Sequence, residues 1–196
     1  DHFMRTTIVT RGEEWLSSLP IHLDLFNTMN WEAPKYAHLP VIMKLDNGNR
    51  RKLSKRKDNE AACSFFLQDG YPIDAFKTYL FTIANSNFEE WQIQNPTLTY
   101  RDFTFSFDKM SQDGALFDLD KVKYFSKELL GTYSGEKMKD EAKKYAEVYN
   151  QELLDIINQD EDKFVQIMSI EKDKENPRKD YEKYSDILEK VKFFYE

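Results

Sequence analysis

Residues 6–10, TTIVT, constrain the fold more than any other part of the chain. Five successive β-branched residues each lose side-chain freedom in a helix, and they suit a short pleated strand instead. Arg11-Gly12 interrupts the run, so the pattern predicts a buried strand over 6–10. Glu13 and Glu14 suit the positive end of a helix dipole. Pro20 marks the start of a second helix, because its missing N–H would have no partner in a first turn. Leu23, Phe26 and Met29 keep helical spacing on that segment. Residues 36–43, YAHLPVIM, read as a loop entering another short strand, with Pro34 and Pro40 limiting regular pairing. Strand, helix, strand in this order predicts part of a parallel α/β sheet.

Charge and periodicity change after this point. The formal net charge is -7, yet 44–58 holds seven basic residues against two acids, so positive charge is expected in one loop. From Glu136 onward seventeen acids face twelve bases. Asp58-Asn59 is a candidate N-cap for a helix over 60–68 that Gly70 stops. Pro72 opens another helix, in which Ile73, Phe76, Leu80 and Ile83 form a stripe expected in the core. Residues 85–101 are polar and turn-rich, whereas 103–107, FTFSF, alternate as a short strand or extended segment would. Asp118 can cap a helix to about Leu130. Met138, Ala142, Tyr145, Tyr149, Leu153 and Ile156 then predict one long amphipathic helix over 136–158. A charge-rich stretch at 160–180, with a helix stop near Pro177, precedes a last amphipathic segment at 181–195. The expected fold is therefore α/β up to about Asp58 and mainly α beyond it.

Several classes of protein are excluded. No run of about 18 apolar residues could span a bilayer, and the start, DHFMRTTIVT, has no secretory pattern, so a soluble cytoplasmic chain is expected. The single Cys63 cannot form an internal disulfide, which fits a reducing compartment; on its alanine-rich segment it reads as core. His2, His22 and His38 are widely spaced with no second cysteine, so no structural metal is expected.

The segment richest in chemistry is Lys52-Leu53-Ser54-Lys55-Arg56. Two lysines three apart on a loop, with a hydroxyl between them, can reach the phosphates of one nucleotide and offset charge as pyrophosphate leaves. The same run, RRKLSKRK, also fits a solvated basic patch or a nuclear import signal, and the residues alone leave these readings open.

Context adds a resemblance. The stretch RGEEWLSSLPIHLDLFNTMNWEAPKYAHLPVIM, followed by KLSKR, resembles the second half of the catalytic domain of glutamyl-tRNA synthetases, class I enzymes with a Rossmann-type core. The likeness continues through GYPIDAFKTYL and GALFDLDKV and weakens after Gly131. It implies three parts: 1–58 as the C-terminal half of the nucleotide-binding domain with its KMSKS-type loop, 59–130 as a helical stem-contact region, and 131–196 as the helical start of an anticodon-binding domain. It implies glutamate, ATP with Mg2+, and tRNA(Glu) as substrates, in a protein expected to be monomeric. Arg11 matches the arginine that holds the substrate's side-chain carboxylate, a task suited to guanidinium geometry. Glu14, Trp15, Val41 and Ile42 match positions lining the ATP site. Lys55 matches the main phosphate contact, with Lys52, Ser54 and Arg56 in support. Leu53 favours a glutamyl over a glutaminyl relative, and His38 reads as a packing or hydrogen-bonding residue, not a base.

The sequence also departs from that family. Ile21-His22-Leu23 is not the HIGH-type motif that would bind phosphates across from the KMSKS-type loop, so the 196 residues alone are expected to form negligible adenylate. Residues 121–130, KVKYFSKELL, lack the family's W-x-N-x-x-Y-I pattern, so no individual tRNA contact is assigned. A non-catalytic module that docks tRNA or a protein is the alternative.

Overall fold

The computed structural model describes residues 1–110, 114–175 and 177–195. The chain forms two compact units. The first comprises Asp1–Leu53 and Thr82–Phe117, and the second comprises Ser54–Phe81 and the chain from Asp118 onward. No helix among the described residues is long and apolar enough to cross a membrane.

The first unit begins with strand β1 (Ile8–Gly12), a 3-10 turn (Glu13–Ser18), helix α1 (Leu19–Thr28) and strand β2 (Lys35–Leu39). β1 and β2 pair in parallel, as the strand-helix-strand order implies, from Ile8 opposite Lys35 to Gly12 opposite Leu39. The strand starts two residues later than the β-branched run. Thr6 N–H is drawn into the N-terminal turn by the Asp1 carbonyl at 3.1 Å, and Arg11 and Gly12 complete the ladder instead of ending it. The strand is only partly buried, with Ile8 exposed. α1 carries Pro20 in its first turn and buries Phe26, leaving Leu23 and Met29 exposed. It ends where Asn30 takes a φ of 53° and Trp31 N–H reaches back to the Phe26 carbonyl at 2.9 Å.

The stretch expected to lead into one strand contributes two. β2 ends before Pro40, which has no N–H for a ladder, and β3 (Met43–Asp46) begins beyond it. β3 pairs antiparallel with β4 (Asn49–Lys52) through Asn47 (φ 51°) and Gly48 (φ 82°). This two-residue loop with positive φ at both positions matches the right-handed twist of the flanking strands. The basic cluster is therefore not a single loop, since Lys44, Arg50, Arg51 and Lys52 lie on hairpin strands. Met43 also exchanges backbone hydrogen bonds with Ala115 (2.8 Å) and Phe117 (2.7 Å).

Thr82–Phe117 completes this unit. Within the polar 85–101 stretch lies a helix that composition concealed, α4 (Phe88–Gln94), whose Phe88 is fully buried against Trp91 and Phe103. Residues 103–106 join no strand ladder, although Phe103 and Ser106 have extended backbone angles. The buried Asn85 amide takes the place of a neighbouring strand there: it accepts from Ser106 N–H at 3.1 Å and donates to the Ser106 carbonyl at 2.8 Å.

The second unit is helical. α2 (Cys63–Asp69) ends at Gly70, whose φ of 90° is left-handed. α2 starts later than the predicted 60–68 because Asp58 does not cap it. Residues 59–61 form a 3-10 turn, and the Asp58 carboxylate accepts from Ser54 N–H at 2.9 Å. Cys63 is exposed at the first position of α2, not in the core. α3 (Ile73–Ala84) begins here, and its last three residues belong to the first unit. Its buried face runs through Ala75 and Tyr79, not through the predicted stripe, and Ile73 is exposed. Tyr79 can occupy the core because its hydroxyl accepts the Asp118 N–H at 2.8 Å.

Asp118 caps α5 (Leu119–Gly131) as expected, accepting from Asp120 and Lys121 N–H. The predicted long helix is two, α6 (Gly135–Tyr149) and α7 (Gln151–Gln159). Asn150 leaves helical geometry (φ -149°, ψ 85°), and its side chain accepts from Leu153 N–H at 3.0 Å, so a polar residue starts a new helix inside a continuous apolar pattern. Asp160 caps α8 (Glu161–Met168) in the same way, within the charge-rich stretch. α9 (Asp186–Val191) follows. Met138, Ala142, Leu153, Ile157, Phe164, Ile187 and Val191 have no exposed surface and form the centre of this core. Each large apolar side chain among them contributes about 1.5–3 kcal/mol by leaving water. The C-terminal end of α2 is tied to residues 183–185 by Lys183 to Asp69 (2.6 Å), Ser185 Oγ to the Asp69 carbonyl (2.7 Å) and Tyr184 N–H to the Gly70 carbonyl (2.8 Å).

Candidate active site

In the first unit, β1 and β2 bring polar side chains onto one face of the parallel ladder. Arg11 stands opposite His38, and Tyr36 lies two residues earlier on β2, on the side that the strand period assigns to His38. His22, in the first turns of α1, completes the group. Arg11 Nε donates to His38 Nε2 at 3.0 Å, and Arg11 Nη1 meets His22 Nδ1 at 2.8 Å. The guanidinium carbon lies 5.0 Å from the centre of the Tyr36 ring. Two polar atoms of this group are buried without a hydrogen-bond partner, Arg11 Nη2 and the Tyr36 hydroxyl. A buried guanidinium nitrogen left unpaired is costly, and a carboxylate is the ligand that would satisfy it best.

The residues just after Arg11 turn toward the hairpin. Glu13 Oε1 lies 3.5 Å from Val41 N–H, and the Ile42 carbonyl accepts from Leu53 N–H at 2.9 Å, which anchors the hairpin's end. Glu14 meets Lys52 at 3.1 Å. A hydrogen bond from its own backbone N–H, followed by Lys52, holds the Glu14 carboxyl below the usual carboxylate range. Gly12 makes this possible, because a Cβ there would collide with the folded-back Glu14 carboxylate. Trp15 is exposed on the 3-10 turn, not packed in the core.

In the second unit, Ser54–Asp58 closes on itself. Ser54 N–H donates to the buried Asp58 carboxylate, Asp58 N–H returns to the Ser54 carbonyl at 2.8 Å, and Arg56 N–H reaches Ser54 Oγ at 3.4 Å. The turn leaves Lys55, Arg56 and Lys57 exposed. Among the described residues no carboxylate pairs with Lys55.

The proposed site residues thus form three local groups: Arg11 with its imidazoles, Glu14 with Lys52 beside the Val41–Ile42 backbone, and the Ser54, Lys55, Arg56 turn. Sequence reasoning missed His22, Tyr36 and Asp58 as members. The period-two spacing of Tyr36 and His38 on a strand was a usable signal. Nothing in the sequence pointed α1 and its His22 at Arg11.

Comparison with known proteins places these groups in context. A family profile described as tRNA synthetases class I (E and Q), catalytic domain, matches residues 1–123. Glutamate–tRNA ligase of Acetivibrio thermocellus is 46% identical over 196 residues, covering 100% of this chain and 36% of the relative. The corresponding ligase of Clostridium perfringens is 45% identical over the same length, again covering 36% of the relative. The chain therefore spans little more than a third of the curated relatives it matches. Among solved structures, glutamate-tRNA synthetase from Elizabethkingia anophelis superposes with a TM-score of 0.72 at 26% identity, covering 99% of this chain and 39% of the other. A glutamate tRNA ligase from Elizabethkingia meningosepticum in complex with its amino acid gives 0.67 at 26% identity over the same shares.

Proposed function

The chain belongs to the class I tRNA synthetases of the E and Q type, and on that footing we propose that it is part of a glutamate–tRNA ligase. Such an enzyme joins glutamate to ATP as glutamyl-adenylate, releases pyrophosphate, and passes the glutamyl group to the terminal adenosine of tRNA(Glu). The observation that carries this reading is the unpaired, buried Nη2 of Arg11, whose guanidinium lies over the ring of Tyr36, a residue whose own buried hydroxyl has no partner. Arg11 holds the side-chain carboxylate of glutamate, supplying charge-assisted hydrogen bonds that the amide of glutamine would receive more weakly. Glu14, Trp15 and the backbone of Val41 and Ile42 line the ATP site.

Lys55, with Ser54 and Arg56 on the same turn and Lys52 on the hairpin, contacts the phosphates of ATP, which arrives as its Mg2+ complex. Negative charge grows on the departing pyrophosphate, and ammonium groups placed there before reaction stabilise the transition state more than the ground state. In this reading 1–58 serve the nucleotide, 59–130 contact the acceptor stem and 131–196 begin the anticodon-binding part.

Glutamate- and tRNA-dependent ATP–pyrophosphate exchange tests the assignment, in a ligase of the relatives' full length carrying this segment. Lys55→Ala is expected to lower exchange by about a hundredfold or more. Exchange at the unmodified rate would overturn the role of Lys55.

A further inference from the structure

The Arg11 guanidinium has N–H donors only, so both ring nitrogens that meet it must offer lone pairs. His38 accepts at Nε2 and therefore carries its proton on Nδ1. His22 accepts at Nδ1 and carries its proton on Nε2. The two imidazoles are neutral and are held in opposite tautomers by one cation. The remaining neighbour described above, the Tyr36 ring, is also uncharged. Among the described residues no carboxylate pairs with Arg11.

A carboxylate is the common way to fix an arginine, but it would cancel the charge that an anionic ligand needs. Two neutral acceptors fix the guanidinium plane through Nε and Nη1 and leave Nη2 and the full positive charge to the ligand. We infer that His22 and His38 are positioning residues that aim Arg11 through complementary tautomers while keeping its charge uncompensated, which makes the pocket choose glutamate over glutamine. This inference rests on the reading of Arg11 as the glutamate contact.

The tautomers predict which substitutions preserve function. Asparagine places an oxygen near the Nδ1 position, and glutamine places one near Nε2. His22→Asn and His38→Gln should keep the KM for glutamate within about threefold, whereas His22→Leu and His38→Leu should raise it about tenfold to a hundredfold with the KM for ATP little changed. His38→Glu holds Arg11 but neutralises it, and should raise the KM for glutamate and reduce the preference for glutamate over glutamine while the melting temperature stays near that of the parent. The measurements use a full-length ligase carrying this segment, with Arg11→Ala alongside. A glutamate KM unchanged in both leucine variants, or one that rises in step with that for ATP, would overturn the inference. So would an unaltered amino-acid preference in His38→Glu. If Arg11→Ala itself leaves the glutamate KM unchanged, the glutamate reading fails as well, and the two failures are told apart.

Discussion

Lys52 Nζ lies 3.1 Å from Glu14 Oε1, joining the end of β4 to the 3-10 turn that follows β1. Both side chains are about half exposed, 57% and 51%, so water screens their attraction. Glu14→Gln is therefore expected to leave the melting temperature unchanged in a thermal scan. The pair also distinguishes the two lysines proposed to meet phosphate: Lys52 already has a counter-ion, and Lys55 has none among the described residues. In pyrophosphate exchange, Lys52→Ala should cost about tenfold less than Lys55→Ala. Equal losses would contradict this division.

The break between α6 and α7 depends on one side chain. Asn150 accepts from Leu153 N–H at 3.0 Å and satisfies a donor that the new helix would otherwise leave open. Asn150→Ala should lower stability by about 1 kcal/mol. In urea this appears as a lower midpoint with an unchanged slope. An unchanged midpoint would show that packing of Ala146, Leu153 and Ile157 alone sets the break.

The second unit should fail at alkaline pH. Burial raises the phenols of Tyr71 and Tyr181 from the ordinary 10.0 to about 12, and it raises those of Tyr184, Tyr133 and Tyr145 as well. The folded state thus keeps protons that the unfolded chain gives up. The stabilisation is complete below the unfolded value near 10.0 and is lost as pH rises toward about 12. Helical circular dichroism and tyrosinate absorbance, followed together, should change in one cooperative step across this window. Gradual ionisation with intact helicity would show that these rings reach solvent without unfolding.

The parallel β1–α1–β2 arrangement was legible because β-branched runs and Pro20 act locally. The α5 cap at Asp118 was legible for the same reason. What could not be read was which partner a polar side chain takes in the folded chain, whether near or far in sequence. Asn85 holds the extended backbone of Ser106, which no ladder supports. Asp58 turns back to Ser54, four residues earlier, instead of capping the helix that follows. Asn150 lies in an unbroken apolar rhythm, and the rhythm alone predicts one helix. Of the candidate site residues, Arg11, Lys52 and Lys55 were proposed from motif order, while His22 meets Arg11 only through the packing of α1. A rule of metal spacing had set the three histidines apart, and the fold brings two of them to one guanidinium.

The most direct test of the account is the KM for glutamate in a full-length ligase carrying this segment, with and without Arg11→Ala. Loss of the charged contact should raise the KM for glutamate by about thirtyfold or more, with the KM for ATP held within about threefold. A glutamate KM equal to that of the unmodified enzyme would contradict the claim that Arg11 holds the substrate carboxylate.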